Sequence, residues 1–235
     1  GTTKAYALYA ADGGQILVNQ PGGKTIQLTG DLATEYSSMY SSIIKAKLDN
    51  SQSFLTGLVD NTGGTIDLDF SNGGSWRPTG DGGIGSNFGT VGTGLSLGSG
   101  GVLDMAYWHN QNAMTPSELN PTNQYRTLTV EGNTTFSDGG IIRINTKVAS
   151  GLADKVIFKN ASGTGTQYVQ VAYDPSYLQG GTIEYTGGSA PVVLELGSGS
   201  TANISVEGQE SFMDNPLNQY KITPVISWSG TEATL

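Results

Sequence analysis

Short runs in which apolar and polar residues alternate recur along the chain, and the clearest of them reads TIDLDF. Its Ile66, Leu68 and Phe70 fall on one face, and its Asp67 and Asp69 fall on the other. A period of two residues is typical of a β-strand that is buried on one face only. Glycine pairs stand on both sides of the run, and glycine turns the chain sharply because it adopts positive φ without steric cost. The pattern predicts a half-buried strand between two tight turns, with Phe70 in the core.

A short motif recurs around this strand at intervals that indicate stacked coils. Leu28-Thr29-Gly30 returns as Leu55-Thr56-Gly57 and then, after a slightly shorter interval, as Pro78-Thr79-Gly80. Strands that repeat with a period in the twenties, with no helix signal between them, are typical of a β-solenoid, in which each coil buries its apolar face against its neighbours. We therefore predict an all-β fold built as a solenoid.

The same alternation predicts strands over most of the chain. Residues 31–47 are ambiguous, because Leu32, Tyr36 and Ile43 fall close to helical spacing and Asp31 could cap a helix. We interpret this segment as a loop with a helical turn that leads into a strand. The predicted strands are 5–9, 15–19, 25–28, 44–48, 65–70, 101–105, 126–130, 140–145, 155–159, 168–173, 182–185, 192–196, 203–207, 220–223 and 225–228.

One long segment without periodicity interrupts this series. Residues 107–123 are rich in Asn, Pro and Ser, which is typical of a loop. Loops of this length in compact domains are functional or mark a change of architecture. We place a boundary here and divide the chain into residues 1–122, the coils of a stem, and residues 123–235, a C-terminal β region of the same solenoid.

The charge and composition restrict the classes of partner. The chain of 235 residues carries 20 acidic and 11 basic residues, a formal net charge of −9, without a basic patch. Such a chain repels phosphate groups, so we predict that it binds neither nucleic acid nor an anionic membrane surface. It contains no cysteine and no apolar run near the roughly 20 residues that span a bilayer. Because it begins abruptly at Gly1, we interpret it as a trimmed fragment without its signal peptide.

Two stretches resemble a known family. Residues 42–85 show a strand, a Ser-x-x-x-Gly turn, alternating strands and the turn Asn72-Gly73-Gly74-Ser75-Trp76-Arg77-Pro78-Thr79-Gly80. Residues 124–171 contain Tyr125-Arg126-x-Leu128-x-Val130, a strand at 140–144, Ala153-Asp154-Lys155-Val156 and Ser162-Gly163. Their order is similar to that of the pertactin-like passenger domains of Gram-negative autotransporters (type V secretion), whose last coils precede a C-terminal autochaperone region.

This resemblance implies a right-handed, single-stranded parallel β-helix with an autochaperone-like β cap at its C-terminal end. Members of the family are adhesins, self-associating proteins or proteases, and a C-terminal outer-membrane β-barrel exports them to the bacterial cell surface. The chain would be the membrane-proximal stem of such a passenger, with that barrel and surface receptors or further copies of itself as partners. Poverty in cysteine fits a passenger that crosses the pore unfolded. We count Phe70, Trp76, Leu128 and Val130 as critical for this fold.

The aromatic residues are the first candidates for ligand contact. Trp76 could stack on a sugar, but a Trp at a structural turn is expected to cover the end of a hydrophobic coil, with its indole N–H bonded to backbone. Tyr107, Trp108 and His109 form an aromatic cluster in the boundary loop, and loop aromatics carry recognition more often than core aromatics do. These three residues are therefore our candidate ligand contacts, with an ordinary packed loop as the alternative.

Catalytic and metal sites find little support in the sequence. His109 is the only histidine, and no convincing nucleophilic serine accompanies it, so we predict no serine protease activity. Asp67 and Asp69 share a strand face, a spacing that polysaccharide-cleaving β-helices could use, although outward carboxylates also protect strands against aggregation. Asp12-Gly13-Gly14 and Asp81-Gly82-Gly83 resemble fragments of calcium-binding repeats, but neither repeats in tandem. We predict no catalytic residue, no cofactor and no metal.

Three functions remain, which we rank. The first is a structural stem whose C-terminal region folds early and templates the coils above it, so that the passenger presents an adhesin for cell adhesion, autoaggregation or biofilm formation. The second is a binding module whose Thr/Ser/Asn-rich faces adhere to other cells or to carbohydrate. The third is a β-helix enzyme that cleaves polysaccharide.

Overall fold

Nearly all of the regular structure in the described part of the chain is β-strand. In a computed structural model the residues described are 6–35, 39–61, 63–79, 82–84, 94–107, 125–147, 150–173, 190–215 and 218–235. Their strands are β1 (Tyr6–Ala10), β2 (Gln15–Val18), β3 (Gln27–Thr29), β4 (Asp31–Thr34), β5 (Ser42–Leu48), β6 (Phe54–Thr56), β7 (Val59–Asn61), β8 (Gly64–Phe70), β9 (Ser75–Arg77), β10 (Gly82–Ile84), β11 (Gly94–Leu97), β12 (Val102–Asp104), β13 (Thr127–Phe136), β14 (Gly140–Lys147), β15 (Leu152–Ala153), β16 (Lys155–Tyr173), β17 (Val192–Leu196), β18 (Asn203–Gly208), β19 (Ser211–Asn215), β20 (Asn218–Ile222), β21 (Ser227–Trp228) and β22 (Glu232–Thr234). Within these ranges no helix is long and apolar enough to cross a bilayer.

The strands stack as the coils of a parallel solenoid, which confirms the predicted fold class. The first column runs through β2, β5, β8, β11, the end of β13 and the middle of β16. The second runs through β3, β6, β9, β12, β14, the end of β16 and β18. A third column contains β1, β4 and β7, and the same place in later coils is taken by β10, the start of β13, the start of β16 and β17. The right-handed coiling stays a prediction.

The core consists of apolar ladders that follow the parallel register. In the second column Leu28 lies beside Leu55, and the ladder continues through Trp76 and Leu103 to Ile142 and Val169. The sequence separation between neighbouring members changes from coil to coil, because the connections between strands differ in length. The four residues that we count as fold-critical are all buried in these ladders, and each contributes about 1.5–3 kcal/mol by leaving water. They are Phe70, Trp76, Leu128 and Val130.

Glycine-containing turns form a stacked corner between the first and second columns. Asn72 and Gly73 both adopt positive φ, and so do Ser99 and Gly100 one coil later. The backbone N–H groups of Asn72 and Gly73 donate to the carbonyl oxygens of Ser99 and Gly100 at 2.7 and 2.9 Å. Gly139 continues the stack, because the Gly100 N–H donates to its carbonyl at 2.8 Å. The tripeptides Asn-Gly-Gly, Ser-Gly-Gly and Asp-Gly-Gly therefore mark the same corner in successive coils.

Three features of the fold correct the sequence-based expectations. Asp31 begins strand β4 instead of a helical turn, and its carboxylate accepts a hydrogen bond from the Leu58 N–H of the next coil at 2.9 Å. The third copy of the short motif is out of register, because Trp76 rather than Pro78 lies in the ladder beside Leu55. The separate strands predicted at 155–159 and 168–173 belong to one strand, β16, which has positive φ at its glycines 163 and 165.

Strands on either side of the predicted boundary pair with each other. The boundary at 122/123 lies in residues 108–124, outside the described part. Before it, β12 pairs with β9, and across it β12 pairs with β14 in the same parallel register. The solenoid is therefore continuous from β9 to β14. The strand predicted at 182–185 also lies outside the described residues.

The two ends of the solenoid are built differently. At the N-terminal end, β1, β2 and β3 form the first described coil, and within the described residues each pairs with one strand, that of the second coil. At the C-terminal end, β17 pairs on one side with β16 and on the other, antiparallel, with β22. Strand β22 in turn pairs antiparallel with β21, and we call these two strands the C-terminal cap. Strands β19 and β20 form a separate hairpin.

Candidate functional site

Two pairs of opposite charges lie on the outer face of the first column. Lys45 lies opposite Asp67 in the register of β5 and β8, and its Nζ is 2.9 Å from Asp67 Oδ2. Lys47 lies opposite Asp69, with 3.9 Å between Nζ and Oδ2. All four side chains are between one third and one half exposed, so each pair contributes at most about 1 kcal/mol to stability. The two carboxylates point outward as the sequence predicted, and each has a lysine partner.

A groove continues from these pairs across the next two strands. Its volume is about 520 Å³, and its lining runs over β5, β8, β11 and β13. Gly94 forms part of the floor, since a Cβ at this position would come within 2.7 Å of Asp67 Oδ1. The polar side chains that line it are Gln20, Lys45, Lys47, Asp67, Asp69, Ser96, Asn133 and Thr135. We call this surface the groove.

The arrangement of the carboxylates in the groove bears on catalysis. A glycosidase needs one carboxyl group that is protonated and a second that is ionised, in different environments. Asp67 and Asp69 instead have similar exposure and the same kind of partner. In the part of the chain that the structure describes, no group of three or more His, Asp, Glu or Cys residues could hold a metal ion. The groove therefore offers polar groups for hydrogen bonding, and the lack of a catalytic role stays a prediction.

A second polar row follows the outer face of the second column. Arg143 Nη1 donates to Asp104 Oδ2 at 3.0 Å, and its Nη2 donates to Gln170 Oε1 at 3.1 Å. Gln170 Nε2 in turn donates to Gln209 Oε1 at 3.1 Å. Each bond joins one coil to the next, so this row links four coils through side chains alone.

The carboxylate in this row is buried. Burial raises the pKa of Asp104 above its ordinary value, and the charge and hydrogen bond of Arg143, followed by the charge of Arg77, act in the opposite direction. Because the carboxylate of Asp104 is almost fully covered, no solute reaches it. Its role is to hold neighbouring coils together.

The aromatic cluster predicted in the boundary loop is described only at its first residue. The Cζ atom of Arg77 lies 4.4 Å from the centre of the Tyr107 ring and 4.3 Å from the centre of the Phe54 ring. Tyr107 therefore forms one side of an aromatic–guanidinium stack, an arrangement with a favourable energy of about 0.5–2 kcal/mol. Trp108 and His109 lie outside the described residues, so their contact with a ligand stays a prediction.

Trp76 lies inside the solenoid. Its side chain is fully buried between Leu55 and Leu103, and its Nε1–H donates to the carbonyl of Gly57 at 2.9 Å. A buried indole cannot stack on a sugar, whereas it fills the core and satisfies its one donor. The expected backbone partner is present, although the residue sits in strand β9 rather than at a turn.

A buried carboxylate joins two coils near the predicted boundary. Asp154 Oδ1 accepts the Arg126 backbone N–H at 2.8 Å, and its Oδ2 accepts the N–H and the side-chain Nδ2 of Asn145 at 2.8 and 3.0 Å. Burial raises the pKa of Asp154 to about 6, against the effect of these hydrogen bonds and of the Arg126 charge. The carboxylate accepts hydrogen bonds from N–H groups that the pairing of the strands does not satisfy.

The Asp-Gly-Gly tripeptide near the start of the chain is a turn between β1 and β2. Asp12 and Gly13 both have positive φ, at 52° and 78°, and the Gly14 N–H donates to the Ala11 carbonyl at 2.8 Å. Left-handed backbone at both central positions is the geometry of a tight turn. The second such tripeptide begins at Asp81, outside the described residues.

Comparison with known proteins identifies no family. No protein-family model matches the sequence, and a search of curated proteins finds no match.

Sequence reasoning missed most of the groove. It found Asp67 and Asp69, but not the lysines that pair with them or the polar residues of β11 and β13. One signal was present: Lys45 and Lys47 alternate with apolar residues just as the aspartates do, one coil earlier and with the opposite charge. The other residues reach the groove because the sequence separation between paired residues is longer from β11 to β13 than from β8 to β11. The sequence alone does not give that separation.

Proposed function

We propose that this chain is the stem of a bacterial surface protein, the membrane-proximal part of an autotransporter passenger, and that its role is structural rather than catalytic. The resemblance of residues 42–85 and 124–171 to pertactin-like passengers supports this assignment. The parallel solenoid supports it too, because stacked coils make a long, stiff spacer in which every coil contacts only its neighbours. On this proposal the protein resides on the cell surface or is released from it.

The difference between the ends of the solenoid is the observation that carries the proposal. The C-terminal cap covers the last coil with antiparallel strands, and Ala233 of the cap is fully buried. Among the described residues, the strands of the first coil are paired on one side only, which is an arrangement that a further strand can join. A closed C-terminal end can form first and then serve as a template for the coils before it. This is the autochaperone role that we assign to the region after residue 123.

The proposed partners follow from this role. An outer-membrane barrel of the same protein would lie on the C-terminal side, and the coils would present an adhesive surface away from the cell. The outer faces carry hydroxyl, amide and paired charged groups, which suit contact with receptors or with another copy of the solenoid. The net charge of −9 argues against nucleic acid as a partner.

Pulse-labelling hydrogen exchange during refolding of the whole chain tests the order of folding. We expect the amides of β16, β17 and β22 to gain protection before those of β2 and β5. Protection that appears first in β2 and β5, or at the same time throughout, would contradict a template at the C-terminal end.

Surface display tests the biological side of the proposal. The chain would be placed between a signal peptide and an autotransporter barrel in a Gram-negative host, and protease-resistant protein on intact cells would be measured. We expect Leu194→Asp, in the last coil, to abolish the resistant product, and Ile16→Asp, in the first coil, to leave most of it. Equal losses for these two inward-facing positions would show that the C-terminal coils have no special part in folding.

A further inference from the structure

We propose that the groove over β5, β8, β11 and β13 binds a neutral oligosaccharide. This inference rests on the shape and chemistry of the groove and does not depend on the proposed role as a stem.

The shape of the groove suits an extended ligand that lies across the strands. Adjacent strands are about 4.8 Å apart, and outward positions on one strand recur about every 6.8 Å. The groove crosses four strands, so it offers a regular grid of side chains rather than one deep cavity. Gly94 keeps the centre of the grid open, since a side chain there would meet Asp67.

The chemistry of the lining suits hydroxyl groups. In the described part of the chain, the side chains of Ser96, Asn133 and Thr135 form no hydrogen bonds, so their donors and acceptors are available to a solute. Each sugar hydroxyl both donates and accepts, as these side chains do. The carboxylates of Asp67 and Asp69 add charged acceptors, whose hydrogen bonds are stronger than those of neutral groups.

Other classes of ligand fit the groove less well. A polyanion gains little, because each lysine of the groove is paired with an aspartate and the chain is acidic as a whole. An extended peptide would need a free strand edge, yet every strand under the groove is paired on both sides. An apolar ligand finds no apolar side chain to cover it, because Ala46, Leu68 and Leu95 of the lining point into the core.

The affinity is expected to be weak. Among the described residues that line the groove none is aromatic, so stacking on a sugar ring contributes nothing. Solvated hydrogen bonds give small net gains each. We expect a dissociation constant for a short oligosaccharide on the order of 1 mM, with longer chains held more tightly.

Affinity electrophoresis of the whole chain tests this proposal, because it detects weak binding. The native gels would contain dextran, soluble starch, galactomannan or xyloglucan as neutral probes, and polygalacturonate as an anionic probe. We expect retardation by at least one neutral polysaccharide, unchanged between low and high salt since no net charge is neutralised on binding.

Two matched double variants locate the binding. Ser96→Ala with Asn133→Ala removes one hydroxyl and one amide from the groove. Ser205→Ala with Asn203→Ala removes the same groups from exposed positions of β18, outside the groove. We expect the groove variant to lower the affinity at least fivefold and the control to stay within twofold of the unaltered protein, with both melting temperatures unchanged.

Three outcomes would overturn the proposal. The first is that no neutral polysaccharide retards the protein, and the second is an equal loss of affinity in the two double variants. The third is retardation by polygalacturonate alone, which salt abolishes.

As a further check that does not depend on removing hydrogen bonds, Thr135→Trp places a large side chain in the groove at an exposed position. We expect this side chain to change the retardation by the neutral polysaccharide. Unaltered retardation would also contradict the proposed site.

Discussion

The first and last coils of this solenoid bury their inner faces to very different extents. In the first coil the inward residues Ile16 and Val18 remain partly accessible, and Leu17 beside them is 59% exposed. In the last coil Leu194 is fully buried, because β22 of the C-terminal cap lies against it. Both strands are rich in apolar residues, since β2 reads QILV and β17 reads VVLEL. The comparison shows that burial in a solenoid depends on whether a coil has neighbours on both sides, and much less on its own sequence.

The largest difference between the two ends should appear when one apolar side chain is shortened in each. Leu194→Ala leaves a cavity between β16 and the C-terminal cap, and we expect it to lower the free energy of unfolding by about 3 kcal/mol. Ile16→Ala, at a partly exposed position, should cost about 1 kcal/mol or less. Urea denaturation followed by circular dichroism measures both. Equal costs would mean that the first coil is as well covered in solution as the last.

The pH dependence of stability should also separate the two halves of the molecule. Asp154 lies near β15 and β16, and burial raises its pKa from 3.8 to about 6. Between these values the unfolded chain has lost the proton while the folded protein keeps it. The contribution of Asp154 to stability therefore falls as pH rises from about 4 to about 6, by up to roughly 3 kcal/mol, and levels off above pH 6.

Asp154→Asn isolates this contribution from that of Asp104, whose pKa burial also raises. We expect urea titrations of the variant to show a smaller fall in stability between pH 4 and pH 6 than those of the unaltered protein. The variant should also lose about 1–3 kcal/mol at pH 5, because the amide nitrogen of Asn cannot accept from the N–H groups that point at the side-chain oxygens of Asp154. An unchanged pH profile would show that Asp154 titrates normally in the folded protein.

A smaller effect is expected from the indole that ties the C-terminal cap to β18. Trp228 Nε1 donates to the Ile204 carbonyl at 3.0 Å, and the side chain is only partly buried. Trp228→Ala should lower stability by about 2 kcal/mol. Native-state hydrogen exchange would locate the loss of stability. We expect faster amide exchange in β17 and β18 and unchanged exchange in β2 and β5. If exchange accelerated equally in both ends, the C-terminal cap would not be a local structure.

The smallest effect should come from the paired charges on the outer face. A double-mutant cycle with Lys45→Ala and Asp67→Ala should give a coupling energy below about 1 kcal/mol, which decreases with salt, because both side chains are about 40% exposed. A coupling energy several times larger, or one that salt leaves unchanged, would mean that this pair fixes the register of β5 on β8.

The sequence predicted strands well where one residue in two is apolar and poorly elsewhere. The TIDLDF run lies in β8, with Ile66, Leu68 and Phe70 inward, as its alternation requires. Asp31–Thr34 was missed because three successive residues of β4 are buried, so no alternation remains. The short motif predicted the wrong register for one coil, because Trp76 takes the place of leucine in that ladder. A ladder requires a buried side chain at each position rather than one residue type.

The groove could not be predicted because it depends on register. Asp67 and Asp69 were correctly placed on an outer face, yet the groove exists only when Gly94 lies beside Asp67 and Asn133 lies beside Gly94. These two residues come from the next two coils and are distant in the chain. A better signal for the register was available in the x-Gly-Gly tripeptides at 72–74, 99–101 and 138–140, whose spacing equals the steps of the apolar ladders.

The stacked glycine corner has a consequence for how such a molecule changes length. Because Asn72 and Gly73 hydrogen-bond to their counterparts in the next coil, Ser99 and Gly100, the chain returns to the same corner, one coil later, after the segment 72–98. A tandem in-frame duplication of that segment returns the chain to the same corner in the same phase. The protein would grow by one strand spacing, about 4.8 Å, without a new kind of contact. The length of such a solenoid therefore changes by whole coils, and repeated duplication of a single coil can produce a spacer of any length.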